Sequence, residues 1–237
     1  AATSGAFASR LGLPAAPAMA ERMGLERDVA LLEMTGVRYH ADQITTKAAL
    51  DILRKSKAQD LDITAGTSIH HLTLTEDDIA DYRTFFKVKP PLRKETDREA
   101  AVAALREGLI DTLCSMHTPQ DEESKRLPYE EAASGAVGLE TLLPASLKLV
   151  HAGEIGLTQL FRALSLNPAR RLALDCGRLR AGAPADLVIF DPETSRSIDR
   201  WTLRSKSKNT PFDGTRLPGT VWATYVAGSA VYETDHA

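Results

Sequence analysis

The side chains capable of chemistry collect where short apolar runs end. His40, Asp42 and Gln43 close the run VRYHADQI. Thr67, Ser68, His70 and His71 follow LDITAGT, and Ser115, Met116, His117 and Gln120 follow LIDTLCSM. Histidine at such a place can act as general acid, general base or metal ligand. A further stretch, TFFKVKPPLR, sets Lys87, Lys89 and Arg93 around a double proline. Structural uses compete with each of these: His70 or His71 can simply cap or pack, the lysines can lie in a solvated loop, and His117 can anchor the proline turn by a hydrogen bond. The chain has no glycine-rich phosphate loop, nucleophile elbow, HExxH or CxxC motif.

The elements that must position these residues follow from periodicity. AERMGLERDVALLEMTG predicts a helix with Met23, Val29, Leu32 and Met34 as its apolar residues and Gly36 as its stop. TTKAALDILRKSKAQ predicts a second helix, N-capped by Thr45 or Thr46, with Leu50 and Leu53 on one face. TDREAAVAALREG predicts a third, with a capping box from Thr96 and Glu99 and a stop at Gly108. Three strand-then-helix repeats argue for parallel βα units, and their strand ends form a polar, histidine-containing rim. A closed eightfold barrel needs about 250 residues by itself, so the chain supplies part of one. Pro168 starts a last helix. From Gly177 the texture changes: GRLRAGAPADLVIFDP predicts strand, turn and strand, and GTVWATYVAGSAVYE predicts a hairpin turning at Gly228-Ser229. The expected organisation is a partial (β/α)8 barrel over residues 1–176 and a small β-sandwich module over residues 177–237.

Composition narrows the partners. A formal net charge of −3 gives no basic field for nucleic acid, and LRSKSK at 203–208 is expected to be a solvated loop. No apolar run is long enough to cross a membrane as a helix, and the N-terminus lacks the pattern of a signal peptide. Two distant cysteines, Cys114 and Cys176, make no disulfide framework, which favours a reducing compartment and a cytoplasmic protein. The chain does not begin with methionine, and a fragment or the ordered part of something longer is expected.

Beyond these readings stands a resemblance. ASRLGLP, TSIHHLTLTEDDI, FFKVKPPLRKETDREA, SMHTPQDEESKRLPYEEAASGAVGLETLLP, LNPARRLAL, GRLRAGAPADLVIFDP and SKSKNTPFDG together resemble the C-terminal half to two-thirds of a dihydroorotase of the amidohydrolase superfamily. The resemblance implies a (β/α)8 barrel with zinc at its mouth, a β-sandwich beside it, and reversible hydrolysis of dihydroorotate to N-carbamoyl-aspartate in pyrimidine biosynthesis. In that family the metal lowers the pKa of bound water from about 15.7 toward 7 and polarises the amide carbonyl.

Position by position, the sequence departs from that pattern. The family's two strand-six histidines, three apart, match His40 and Gln43, so the ligand position holds a neutral amide. The family's Asp-His-Ala-Pro-His on strand eight matches Met116, His117, Thr118, Pro119 and Gln120, which puts a thioether where the catalytic aspartate belongs. The substrate-binding asparagine before the double proline is Lys89. Neighbours are not expected to substitute: strand side chains alternate between faces, so Asp42 should face away if the strand runs that far, and His117 likewise.

The resemblance therefore implies a noncatalytic or impaired dihydroorotase-like chain with zinc absent or reduced, kept for assembly with aspartate transcarbamoylase or for self-association. The alternative is an active amidohydrolase on dihydroorotate or another cyclic amide or ureide, working through an altered site that retains His40, His70, His71, Lys89, Arg93 and His117.

Overall fold

The structure, a computed structural model, describes residues 1–234; the last three positions of the expected 177–237 module lie outside the described residues. The chain begins with β1 (Ala2–Thr3), α1 (Ala6–Arg10) and β2 (Ala15–Ala16), β1 pairing with β2. Then come α2 (Ala18–Thr35), β3 (Tyr39–Ala41), α3 (Lys47–Ala58), β4 (Ile63–Ser68), α4 (Ile69–Thr73), α5 (Glu95–Glu107) and β5 (Thr112–Cys114). Three short helices, α6 (Glu122–Arg126), α7 (Leu142–His151) and α8 (Leu157–Phe161), lead through a π-turn at Arg162–Leu166 into α9 (Asn167–Arg171). β6 (Leu187–Ser197), β7 (Arg216–Val226) and β8 (Ser229–Glu233) finish the chain.

β3, β4 and β5 form one parallel sheet in that order, with Tyr39 opposite Ile63 and Gly66 opposite Thr112. Parallel neighbours require crossovers, and α3 and α5 supply them. The crossovers bury Leu50, Leu53, Val102 and Leu105 with Ile63, Ala65 and Leu113 of the sheet. Side chains alternate across a strand, so the opposite face carries Thr64, Gly66, Thr112 and Cys114. This is a segment of a barrel wall, with two unclosed edges among the described strands.

β6, β7 and β8 form a separate antiparallel meander, which leans on the barrel segment through α7. Gly219 makes this approach possible: a Cβ there would overlap Leu147 of α7, and its φ of +98° suits only glycine. Among the described residues no helix is long and apolar enough to cross a membrane.

Several local expectations are corrected. α2 buries Leu25, Val29 and Leu32, whereas Met23 and Met34 are exposed, Met34 at 81%. Three turns separate Met23 from Met34, so they share a side, and that side is opposite to Val29 and Leu32. α3 does take Thr46 as its N-cap, through the amide of Ala49. α5 starts one residue before Thr96, and no side chain caps it. Glu95 instead pairs with Arg98, and Asp97 accepts the Lys47 amide; the capping box forms at Thr75 and Asp78. Residues 178–186 are irregular, not a strand, because Arg178 and Arg180 fold back onto Asp175. The hairpin turns at Ala227-Gly228, both with positive φ, one residue earlier than expected, and this two-residue geometry matches the strand twist. In the 203–208 loop, Lys208 Nζ donates to the carbonyls of Leu203 and Ser205 at 2.7 and 2.8 Å, so the basic run closes on itself.

Candidate active site at the strand ends

The C-terminal ends of β3, β4 and β5 bring some of the singled-out residues together. His40 lies on the concave face, its Nδ1 2.8 Å from Thr64 Oγ1. Gly66, on β4 beside it, leaves a niche. A Cβ there would stand 2.6 Å from Thr112 Oγ1, 3.1 Å from His40 Nε2 and 3.3 Å from Asp42 Oδ1. An imidazole, a carboxylate and a hydroxyl therefore converge over one glycine.

Asp42 faces the same side as His40, contrary to expectation. Residues two apart on a strand share a face, so alternation counted from His40 sets Asp42 beside it. The expectation counts from Gln43, which leaves the strand pattern because β3 stops at Ala41 and Gln43 turns into the left-handed region at φ +59°. Its Nε2 donates to Asp42 Oδ1 at 3.2 Å and to Cys114 Sγ at 3.1 Å, while its Oε1 is buried without a partner. Burial, the largest influence, lowers the His40 pKa, against the opposing pull of Asp42. Burial raises that of the Cys114 thiol, so Cys114 is held protonated and is a poor nucleophile.

Met116 follows β5, also at positive φ (+47°), and its carbonyl accepts from Thr118 Oγ1. His117 turns the other way: its Nδ1 accepts the Gly138 amide at 3.2 Å, which leaves the proton on Nε2. Gln120 donates to the Ser134 carbonyl at 3.1 Å. Both residues brace the loop 118–138 and are not part of the niche.

Two buried lysines hold the same loop. Lys87 Nζ donates to the carbonyls of Glu130 and Ala132, and Lys125 Nζ to those of Ala133 and Gly135. Burial, with Lys87 nearby, pulls the Lys125 pKa down to about 8. Lys125→Met removes two charge-assisted bonds and is expected to cost about 2 kcal/mol, read by urea unfolding, with faster amide exchange confined to the loop.

The remaining singled-out residues lie elsewhere. His71 is buried; its Nε2 donates to the Pro90 carbonyl at 3.1 Å and its Nδ1 is 2.8 Å from Ser68 Oγ. A carbonyl only accepts, so Nδ1 accepts from Ser68. His70 is wholly buried against Phe212, and neither ring nitrogen has a partner. Arg93, 5% exposed, lies under α2: it donates to Thr45 Oγ1 at 2.9 Å, Thr3 Oγ1 at 3.2 Å and Glu21 Oε2 at 3.2 Å. Glu21 in turn accepts the amides of Thr45 and Thr46 at 2.8 and 2.9 Å. Lys89 is exposed, at a cis bond to Pro90. Sequence reasoning missed Thr64, Gly66 and Thr112, which two-residue alternation projected across the register from His40 would have found.

Among the described residues no group of three His, Cys, Asp or Glu could hold a metal ion. The donors of Gln43 and Met116 do not fit zinc either: Gln43 offers a neutral amide, already committed to Asp42 and Cys114, and Met116 a thioether.

An open run of parallel strands, crossover helices on one side and polar groups at the carboxyl ends on the other define part of a (β/α)8 barrel with an antiparallel sheet attached. The Amidohydrolase family model matches residues 8–231, and the chain belongs to that family. Among curated proteins it is similar to the dihydroorotase of Desulforapulum autotrophicum, 38% identical over 98% of this chain and 54% of that protein. It is also similar to those of Ehrlichia canis, 39% over 96% and 51%, and Brevibacillus brevis, 41% over 97% and 54%. The chain therefore spans about half the length of the curated relatives it matches. Among solved structures, the L-hydantoinase (dihydropyrimidinase) of Arthrobacter aurescens superposes with a TM-score of 0.86 at 29% identity, over 90% of this chain and 48% of that one. The D-hydantoinase (dihydropyrimidinase) of a Thermus species gives 0.86 at 25%, over 92% and 49%.

Proposed function

We propose that this is a dihydroorotase-type chain that no longer assembles the family's metal site and that serves assembly or regulation in the cytoplasm, with aspartate transcarbamoylase as its partner. The observation that carries this reading is the pair Gln43 and Met116, which the sequence resemblance sets at the positions of the family's metal-ligand histidine and catalytic aspartate. A neutral amide and a thioether neither hold zinc well nor carry a proton between metal-bound water and a leaving nitrogen. The exposed apolar side of α2, with Met19, Met23, Leu31 and Met34, supports a contact with another protein surface or with a second copy.

Elemental analysis of the full-length protein, purified without chelator and again after zinc addition, tests the reading. The expected result is less than one zinc per chain after gel filtration, together with co-purification of the transcarbamoylase at micromolar concentration. Two retained zinc ions would overturn it.

A second reading, an active hydrolase of dihydroorotate or another cyclic amide or ureide, draws on the niche of His40, Asp42 and Thr112 and on the hydantoinase likeness. It expects turnover of dihydroorotate or hydantoin that falls in His40→Ala and Asp42→Asn, the imidazole and carboxylate of that niche; turnover unchanged in both would remove its basis.

A further inference from the structure

At the opposite end of the strands, a cleft of about 590 Å³ opens between the C-terminus of α5 and the helix running from α8 into α9. Its floor is apolar: Leu105, Ile110 and Ala163 are all buried. Its charge is not balanced. The two carboxylates on its wall are already committed, Glu107 to Arg54 at 3.5 Å and Asp111 to Lys57 at 2.8 Å. Arg162 and Arg170 also line the cleft, and neither guanidinium has a hydrogen-bond or ion-pair partner among the described residues.

The backbone places those two arginines together. In an uninterrupted α-helix, residues eight apart point about 80° away from each other, at about 100° per residue. The π-turn Arg162–Leu166, closed by the Asn167 amide on the Arg162 carbonyl, holds one extra residue, which brings Arg170 to within about 20° of Arg162. The Asn167 side chain pins this turn to the sheet, donating to the Asp111 carbonyl at 2.8 Å.

We propose that this cleft binds a small phosphate ester with an apolar body. Two guanidiniums match the charge of a phosphate monoester, about −1.5 to −2 at neutral pH, and each offers a planar pair of donors suited to phosphate oxygens. The apolar floor accepts the organic part, and the volume suits a ligand of that class. The site does not depend on the reading of the strand ends, since it uses no metal and none of the residues at the niche.

Calorimetric titration of the full-length protein with phenyl phosphate and with inorganic phosphate tests this. Phenyl phosphate is expected to bind, more tightly than inorganic phosphate and less tightly as salt is raised. Arg162→Gln and Arg170→Gln should each weaken it about tenfold, and the double variant should abolish it. Both side chains are exposed, so the melting temperature should not move. Absence of phenyl phosphate binding, binding undiminished in the double variant, or inorganic phosphate bound as tightly as the ester would overturn the proposal.

Discussion

Arg93→Met is expected to lower the unfolding free energy by about 3–5 kcal/mol, the usual cost of removing one partner from a buried ion pair. Arg93 is 5% exposed, and its side chain bonds Thr3, Thr45 and Glu21. Without it, Glu21 keeps the amides of Thr45 and Thr46 but loses its only buried counter-charge among the described residues. The N-terminus of α3 and the first turn of α2 are joined there, so the loss should appear as one cooperative shift of the urea midpoint. Neutralising both partners should cost less than the sum of the single changes, because Arg93→Met with Glu21→Gln leaves no bare charge. A midpoint within about 1 kcal/mol of the parent would show that Arg93 is not a structural tie.

The strand-helix repeats were legible because parallel units write apolar runs and amphipathic helices in alternation. Gly36, Thr46 and Gly108 marked their ends through chemistry that is local. What the sequence hid was the side to which residues face once regular geometry stops. Asp42 was expected to point away because alternation was counted from Gln43; counted from His40, two residues earlier, it sets the carboxylate beside the imidazole, and Gln43, on a left-handed backbone past the end of β3, is the residue that leaves the pattern. Arg93 and His71, polar residues beside a proline loop, read as rim groups because nothing local announces partners as distant as Glu21 and Thr3, or Pro90. Met23 and Met34 read as core because an apolar residue on a helix is ambiguous about which of two faces is inward.

Acid is expected to unfold the protein well before its carboxylates are all protonated. His70 and His71 are buried, and desolvation depresses their pKa values to about 3 and about 4, against about 6.5 in an unfolded chain. Below pH 6.5 the unfolded state binds two protons that the folded state refuses, so stability falls as pH drops, by up to about 1.4 kcal/mol per unit for each histidine. By pH 4.5 the two together have removed about 5 kcal/mol, comparable with the whole stability of a small domain. His40, also shifted downward, adds in the same sense. Glu95, lowered by its bonds to Arg98, and Asp28, lowered by Tyr39 and Arg27 against the effect of burial, begin to lose their contribution only below about pH 5, so the limb between about pH 6.5 and 5 belongs to histidine. Glu76, raised by burial, opposes the trend. His70→Phe separates these terms: it removes one protonation site and two unpartnered ring nitrogens while keeping a ring against Phe212. Stability at pH 7 should be equal or higher, since no hydrogen bond is lost and a buried polar group is gone. The slope of stability against pH between 6 and 4.5 should fall by about half. An unchanged slope would mean that His70 is protonated in the folded protein, and therefore that its ring has a partner.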